Sequence, residues 1–242
     1  MQNLVIDIGN TRIKYGVFSA KELITTHVSQ QLEEQEIFRL ATNHSVENII
    51  FSSVAATLPK KLMQQLGRQF QVLELNATTP LPIKNAYQTP ATLGKDRLAA
   101  VVGAAEQFPG KPCLVVDAGT CMTLDVIDAQ KVYLGGNIAP GVQMRLHAMH
   151  AFTARLPLVK AAPTAELWGQ STQTALQNGG LLGAVLEMEG LAQRLQHRWP
   201  DLVIVLTGGD AEALAKQSEY QIFVHSNLVL WGLHKILSYN VQ

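Results

Sequence analysis

Apolar and polar residues change period along this chain in a way that marks its elements. Leu4-Val5-Ile6 is an apolar run closed by Asp7-Ile8-Gly9-Asn10-Thr11, and Ile13–Phe18 resumes it, which predicts a β-hairpin over 2–8 and 12–18. Glu22–Val28, with Leu23-Ile24-Thr25-Thr26, predicts a third strand. Leu32–Thr42 has helical spacing at Leu32, Ile37, Leu40 and Ala41. Val46–Val54 reads as strand, Pro59–Phe70 as a helix with Leu62, Leu66 and Phe70 on one face, and Gln71–Leu75 as strand. Pattern is then lost over Asn76–Leu93, where Pro80, Pro82 and Pro90 predict irregular structure. A long loop of that kind in a compact domain is usually functional or disordered. It leads into Gly94-Lys95-Asp96-Arg97 and a helix with Leu98, Ala99, Val101, Val102 and Ala105 on its apolar side, ended by Pro109-Gly110.

From Cys113 the plan restarts. Leu114-Val115-Val116-Asp117-Ala118-Gly119-Thr120 again joins an apolar strand to Asp, Gly and Thr, and strands over Met122–Ile127 and Lys131–Asn137 follow. A helix is predicted at Val142–His150, a long one over about Thr172–Arg198, and a strand at Leu202–Leu206 that ends in Thr207-Gly208-Gly209-Asp210. A short helix, the strand Ile222–Val224 and a final helix after an Asn227 N-cap complete the chain. The order β-β-β-α-β-α-β thus occurs twice, which implies two similar α/β halves, 1–112 and 113–242, with the last helix able to pack back on the first. In such sheets ligands gather at the carboxyl ends of the strands.

Composition narrows the class. The chain has 242 residues, 47% of them hydrophobic, enough for a sizeable core. Lys plus Arg equals Asp plus Glu at 19 each, so there is no basic footprint for nucleic acid. No run approaches the roughly 18 apolar residues of a membrane helix. The N-terminus lacks the cationic flank of a signal peptide, and Cys113 and Cys121 are the only cysteines, so a reducing, cytoplasmic setting is expected.

Four constellations carry candidate chemistry. The turns Asp7–Lys14 and Asp117–Thr123 each follow an apolar strand and open a hairpin. Either can be an ordinary turn served by its own Asp and Asn. Together they present carboxylates, hydroxyls, turn N–H groups and the Lys14 charge, the residue types that phosphoryl transfer needs for positioning and charge stabilisation. Neither matches a P-loop or a Rossmann turn. Thr207-Gly208-Gly209-Asp210 allows close backbone approach, to a nucleoside or within a plain turn with Asp210 as N-cap. In Gly94-Lys95-Asp96-Arg97, Asp96 can take a hydroxyl proton and Arg97 can orient an anionic or carbonyl group; Asp96 alone suits the first turn of a helix. Gly135-Gly136-Asn137-Ile138-Ala139-Pro140-Gly141 precedes a helix and can face an anion or simply turn the chain.

Other candidates fall away. His147 and His150 lack a carboxylate to complete a metal set, Cys121 has no neighbouring cation or His, and Ser52-Ser53 and Ser171 lack the Gly-x-Ser-x-Gly context of a nucleophile. The stripe Leu181–Leu195 reads as core or a dimer seam.

Taken in order, Asp7-Ile8-Gly9-Asn10-Thr11-x-x-Lys14, Leu93-Gly94-Lys95-Asp96-Arg97, Asp117-Ala118-Gly119-Thr120 and Gly135–Gly141 resemble the motifs of type III pantothenate kinases, over nearly the whole chain. The resemblance implies two ribonuclease H-like halves of the actin and sugar-kinase superfamily, each a mixed five-stranded sheet with helices, and an active site in the cleft between them. It implies ATP-dependent phosphorylation of pantothenate by a homodimer that uses Mg²⁺ and K⁺ or NH₄⁺. Carried onto this sequence, Asp7, Ile8, Gly9, Asn10, Thr11, Arg12, Ile13, Lys14 and Thr120 would bind ATP, with Asp7 on the Mg²⁺ side. Asp117 would hold the monovalent cation. Tyr87, Gly94, Lys95, Asp96, Arg97 and Thr172 would bind pantothenate, with Asp96 as proton acceptor. Cys121 and Met122 depart from the family pattern, which keeps its Asp, Gly and Thr here. A sugar or carboxylate kinase of the same superfamily and a nucleotide-binding regulatory protein are the alternative readings.

Overall fold

The computed structural model describes residues 1–53 and 58–241, so Val54, the expected end of the fourth strand, lies outside the described residues. The chain divides into two compact units, Met1–Gln107 with Asn227–Gln242, and Phe108–Ser226. The division falls at Gln107/Phe108 rather than at Pro112/Cys113, and the last helix belongs to the first unit.

In the first unit β1 (Gln2–Ile8), β2 (Ile13–Ser19) and β3 (Glu22–Ser29) form an antiparallel meander, and β4 (Asn48–Ser53) and β5 (Gln71–Glu74) add in parallel, in the order β3-β2-β1-β4-β5. Side chains alternate between the faces of a strand. Leu4, Ile6, Ile8, Ile13, Tyr15, Val17, Ile49 and Phe51 therefore share one face, where they pack with Ile37 and Leu40 of α1 (Glu34–Asn43) and Leu62 and Leu66 of α2 (Lys60–Leu66). The opposite face takes α3 (Lys95–Gln107) and α8 (Leu228–Asn240). These two helices touch through backbone: a Cβ on Gly232 would stand 1.8 Å from the Ala99 carbonyl oxygen, and one on Gly103 would stand 2.5 Å from that of Leu228. The expected irregular stretch 76–93 holds only a two-residue strand, β6 (Lys84–Asn85), and a 3₁₀ turn at Pro90–Thr92. Side chains organise it: Asn76 Oδ1 accepts from the Thr78 N–H at 2.9 Å, and Asn85 Oδ1 from the Tyr87 N–H at 3.0 Å.

The second unit repeats the topology. β7 (Cys113–Ala118), β8 (Cys121–Ile127) and β9 (Val132–Pro140) form the meander, and β10 (Val203–Thr207) and β11 (Ile222–Val224) add in parallel, in the order β11-β10-β7-β8-β9 within a sheet of six strands where five were expected. Leu114, Val116, Leu124 and Leu206 pack with Val185 and Met188. The helices are α4 (Val142–Ala151), α5 (Thr172–Gln177), α6 (Gly183–Gln196) and α7 (Ala211–Gln217). The single helix expected over Thr172–Arg198 is interrupted by a π-helical turn at Asn178–Leu182, which contains Gly179-Gly180. Glycine weakens a helix, and here it also lets the chain close on α4, since a Cβ on Gly180 would lie 2.7 Å from Leu146 Cδ2. Asn227 occupies the N-cap position of α8 without a side-chain capping bond. Among the described residues no helix is long and apolar enough to cross a membrane.

Candidate active site

The first turn is closed by a hydrogen bond from the Gly9 N–H to the Arg12 carbonyl at 3.1 Å. It exposes Asn10, Thr11 and Arg12. Register sets the rest. Asp7 at the end of β1 lies opposite Lys14 on β2 and beside Ser52 on β4. Register partners share a sheet face, so the carboxylate stands between an ammonium-bearing chain and a hydroxyl. Ile8 and Ile13 turn into the core and are only 7% and 5% exposed, so their side chains serve packing and only their backbone can reach a ligand.

The second turn repeats this with one residue fewer. Its Gly119 N–H donates to the Cys121 carbonyl at 3.0 Å, and Asp117 lies opposite Thr123 on β8 and beside Thr207 on β10. Thr120 and Cys121 are exposed. The β10 turn folds over the same carboxylate: Gly208 has φ +95°, and a Cβ there would stand 2.5 Å from Asp117 Oδ1 and from the Ala118 carbonyl oxygen. The Asp210 N–H donates to that same carbonyl at 3.0 Å. Asp210 heads α7 without a side-chain capping bond, and burial pushes its carboxyl up from the ordinary value. Gly141 is held as closely, its N–H on the Thr120 carbonyl at 3.1 Å. At Gly136 a Cβ would meet the Leu124 carbonyl oxygen at 2.2 Å, so the glycines of β9 serve strand packing. Neighbouring Asp125 is buried and accepts from the Tyr133 hydroxyl at 2.7 Å.

The acceptor candidates gather at the start of α3. Asp96 Oδ1 accepts from the Arg97 N–H at 2.8 Å. The Arg97 guanidinium lies over the Tyr87 ring, 5.6 Å from its centroid, and the residue is 5% exposed. A planar cation on an aromatic face is held in orientation, which a lysine could not reproduce. Lys95 Nζ approaches Glu74 Oε1 at 3.9 Å. Thr172 is the first residue of α5, exposed, behind a capping box between Ser171 and Thr174. Within the first unit the fold thus pairs Asp7 with Lys14 and Tyr87 with Arg97, and within the second it encloses Asp117.

The sequence reading named Ser52 and Thr207 without placing either beside a carboxylate, held Thr123 only as the end of the second turn, and passed over Glu74. The signal for the first two was a hydroxyl at the end of an apolar strand, Phe51-Ser52 and Leu206-Thr207, in matching positions of the two halves. Among the described residues no three His, Cys, Asp or Glu side chains gather as a metal cluster. His150 Nδ1 instead lies 2.7 Å from the Leu156 carbonyl oxygen, and burial pushes the Cys113 thiol up to about 12, which leaves it unreactive.

Known proteins resemble this chain over nearly its whole length. The family model described as type III pantothenate kinase matches residues 3–194. A type III pantothenate kinase of Phocaeicola vulgatus is 43% identical over 239 residues, 98% of each chain. One from Bacteroides fragilis is 41% identical with the same coverage, and one from Christiangramia forsetii is 40% identical over 240 residues, again 98% of each chain. Among solved structures, a Baf family transcriptional activator from Campylobacter jejuni superposes with TM-score 0.63 at 24% identity, covering 98% of each chain. A ROK family glucokinase from Streptomyces griseus superposes with TM-score 0.52 at 14% identity, covering 99% of each chain. At those identities the structural likeness speaks for the fold alone. The sequence matches carry the assignment further, because the family model covers most of the chain and the relatives cover 98% of it: the chain belongs to the type III pantothenate kinase family.

Proposed function

We propose that this protein is a pantothenate kinase, transferring the γ-phosphoryl group of ATP to the primary hydroxyl of pantothenate to give 4′-phosphopantothenate, the first step of coenzyme A synthesis. The observation that carries the reading is the 43% identity, over 98% of both chains, to a protein named for this activity. The local chemistry supports it. Phosphoryl transfer asks a protein for positioned cations and dipoles and a proton acceptor, more than for covalent chemistry.

The roles follow from the residues. Lys14 and the N–H groups of the Gly9–Arg12 turn bind phosphate oxygens, and Thr120 is a further ATP contact. Asp96 accepts the proton of the attacking hydroxyl, and its Oδ1 also accepts from the Arg97 N–H. Arg97, steadied on Tyr87, orients the substrate, with Lys95 and Thr172 as further substrate contacts.

The donor sets fit the ions the family resemblance implies. Asp7 is a single carboxylate, outside any cluster of three among the described residues, which suits Mg²⁺, a cation that keeps waters and completes its shell with phosphates. Asp117 is surrounded by oxygens, with Thr123 and Thr207 in register and the Ala118 carbonyl near the space that a Gly208 side chain would fill. Hard oxygen donors of low charge suit K⁺ or NH₄⁺. When bound, these cations would neutralise charge on the phosphates. Exposed Phe152, Leu167 and Trp168, at 88%, 74% and 64%, are apolar surface that a homodimer in the cytoplasm would cover.

A coupled assay with ATP, Mg²⁺, K⁺ and a panel of acceptors tests the reading. Turnover on pantothenate is expected. Preference for a sugar, or tight nucleotide binding with no acceptor phosphorylated, would overturn it in favour of a sugar kinase or a regulatory nucleotide-binding protein.

A further inference from the structure

We propose that Ser52 is a ligand-binding residue of the phosphoryl-transfer site, its hydroxyl held in reserve beside Asp7 for a phosphate oxygen or a metal-bound water. The inference rests on the kinase reading above. Ser52 is fully buried, and its Oγ has no hydrogen-bond partner among the described residues. A buried hydroxyl without a partner is costly and rare in a folded protein, and it calls for an explanation.

Its position supplies one. Ser52 is the register partner of Asp7 on parallel strands, so the two side chains project from the same face at the same level. Ile49 and Phe51 point into the core with α1 and α2, which turns Ile50 and Ser52 to the other face. On that face α3 packs against β4, and the first turn of α3 carries Asp96 and Arg97. The hydroxyl therefore shares a sheet face with the carboxylate assigned to the cation and with the helix assigned to the acceptor. The duplicated fold repeats the device. Thr207 stands in register with Asp117, ends the equivalent strand β10 and is 1% exposed. Two independent strands thus deliver a buried hydroxyl beside the turn carboxylate, where an apolar residue would be the cheaper choice for packing.

The reserve hydroxyl makes two measurements move in opposite directions. Binding of AMPPNP with Mg²⁺ to full-length wild type, Ser52→Ala and the near-isosteric Ser52→Cys is measured by calorimetry, alongside thermal melts without nucleotide. Both variants are expected to bind about tenfold more weakly or worse, the scale of a hydrogen bond to a charged group. Without nucleotide, Ser52→Ala is expected to melt at or above the wild-type temperature, because it removes an unsatisfied group. A penalty that persists for AMPPNP in EDTA assigns the bond to a phosphate oxygen, and one seen only with Mg²⁺ assigns it to a metal-bound water; both support the proposal. Unchanged affinity in both variants, with a lowered melting temperature for Ser52→Ala, would make Ser52 a packing residue and overturn the inference alone. Absence of nucleotide binding by wild type would overturn the kinase reading and this inference together. Should the alanine variant fail to fold, the cysteine variant carries the affinity comparison.

Discussion

Gly208 and Asp117 stand so close that a single added methyl would stand 2.5 Å from the carboxylate oxygen. The turn after β10 thereby wraps the carboxylate that ends β7, and it does so with a backbone φ of +95° that side-chain-bearing residues avoid. Gly209, the next residue, has open space around its Cα.

The contrast makes a paired prediction. Gly208→Ala combines backbone strain with a clash and is expected to cost about 2 kcal/mol or more. Gly209→Ala is expected to stay within roughly 0.5 kcal/mol of wild type. Urea unfolding of both variants checks this; equal stabilities would mean that the turn relaxes without loss.

Asp96→Asn tests the proposed proton acceptor. The amide oxygen of Asn can still accept from the Arg97 N–H, so fold and nucleotide binding should survive. Turnover is expected to fall roughly 10²- to 10⁴-fold, the usual value of a positioned general base. Near-normal turnover would remove Asp96 from that role.

Asp117→Asn tests the monovalent cation. It keeps the volume among Thr123, Thr207 and Gly208 but removes the charge. Wild type is expected to be active in K⁺ and weak in Na⁺, and the variant to show equal, low activity in both. A variant that retains full K⁺ activation would place the cation elsewhere.

His234 predicts a pH dependence of stability. Its Nε2 lies 2.8 Å from the Ala20 carbonyl, which can only accept, so Nε2 carries the proton and Nδ1 takes the Asn3 amide at 3.3 Å. Asn3 Oδ1 in turn accepts from Asn48 at 2.9 Å, so a second ring proton has no acceptor. Burial holds the imidazole below its ordinary 6.5, and nearby Lys235 adds to this, while the Ala20 bond opposes it. The unfolded chain then binds the proton more readily than the folded one. Stability should be full above 6.5 and fall as pH drops below it towards the folded value. Melting temperature across that range should drop less in His234→Gln; His225, lowered by burial as well, leaves a residual slope. An unchanged drop in the variant would exclude His234 as its source.

Much of this was readable in advance. The two β-meanders, their turns and the helix after Gly94 follow from period and punctuation, because an apolar strand that must end in a tight turn shows both its burial and its stop in local sequence. Asp7 and Asp117 were visible for the same reason, since a carboxylate at the end of an apolar run breaks the pattern, and Asp96 was visible as a carboxylate between two cations at the start of a helix, where Lys95 and Arg97 do not suit the dipole. Tertiary structure decided what has no local signature. Register placed Ser52 beside Asp7 and Thr207 beside Asp117, although 45 and 90 residues separate the partners as numbered. Close packing against Leu146 made a π-turn of Gly179-Gly180. Backbone contact between Ala99 and Gly232 joined the last helix to the first unit. Chain pattern carries burial and turn propensity, whereas the partner of a strand end or a helix glycine is set by which distant surfaces leave room for it.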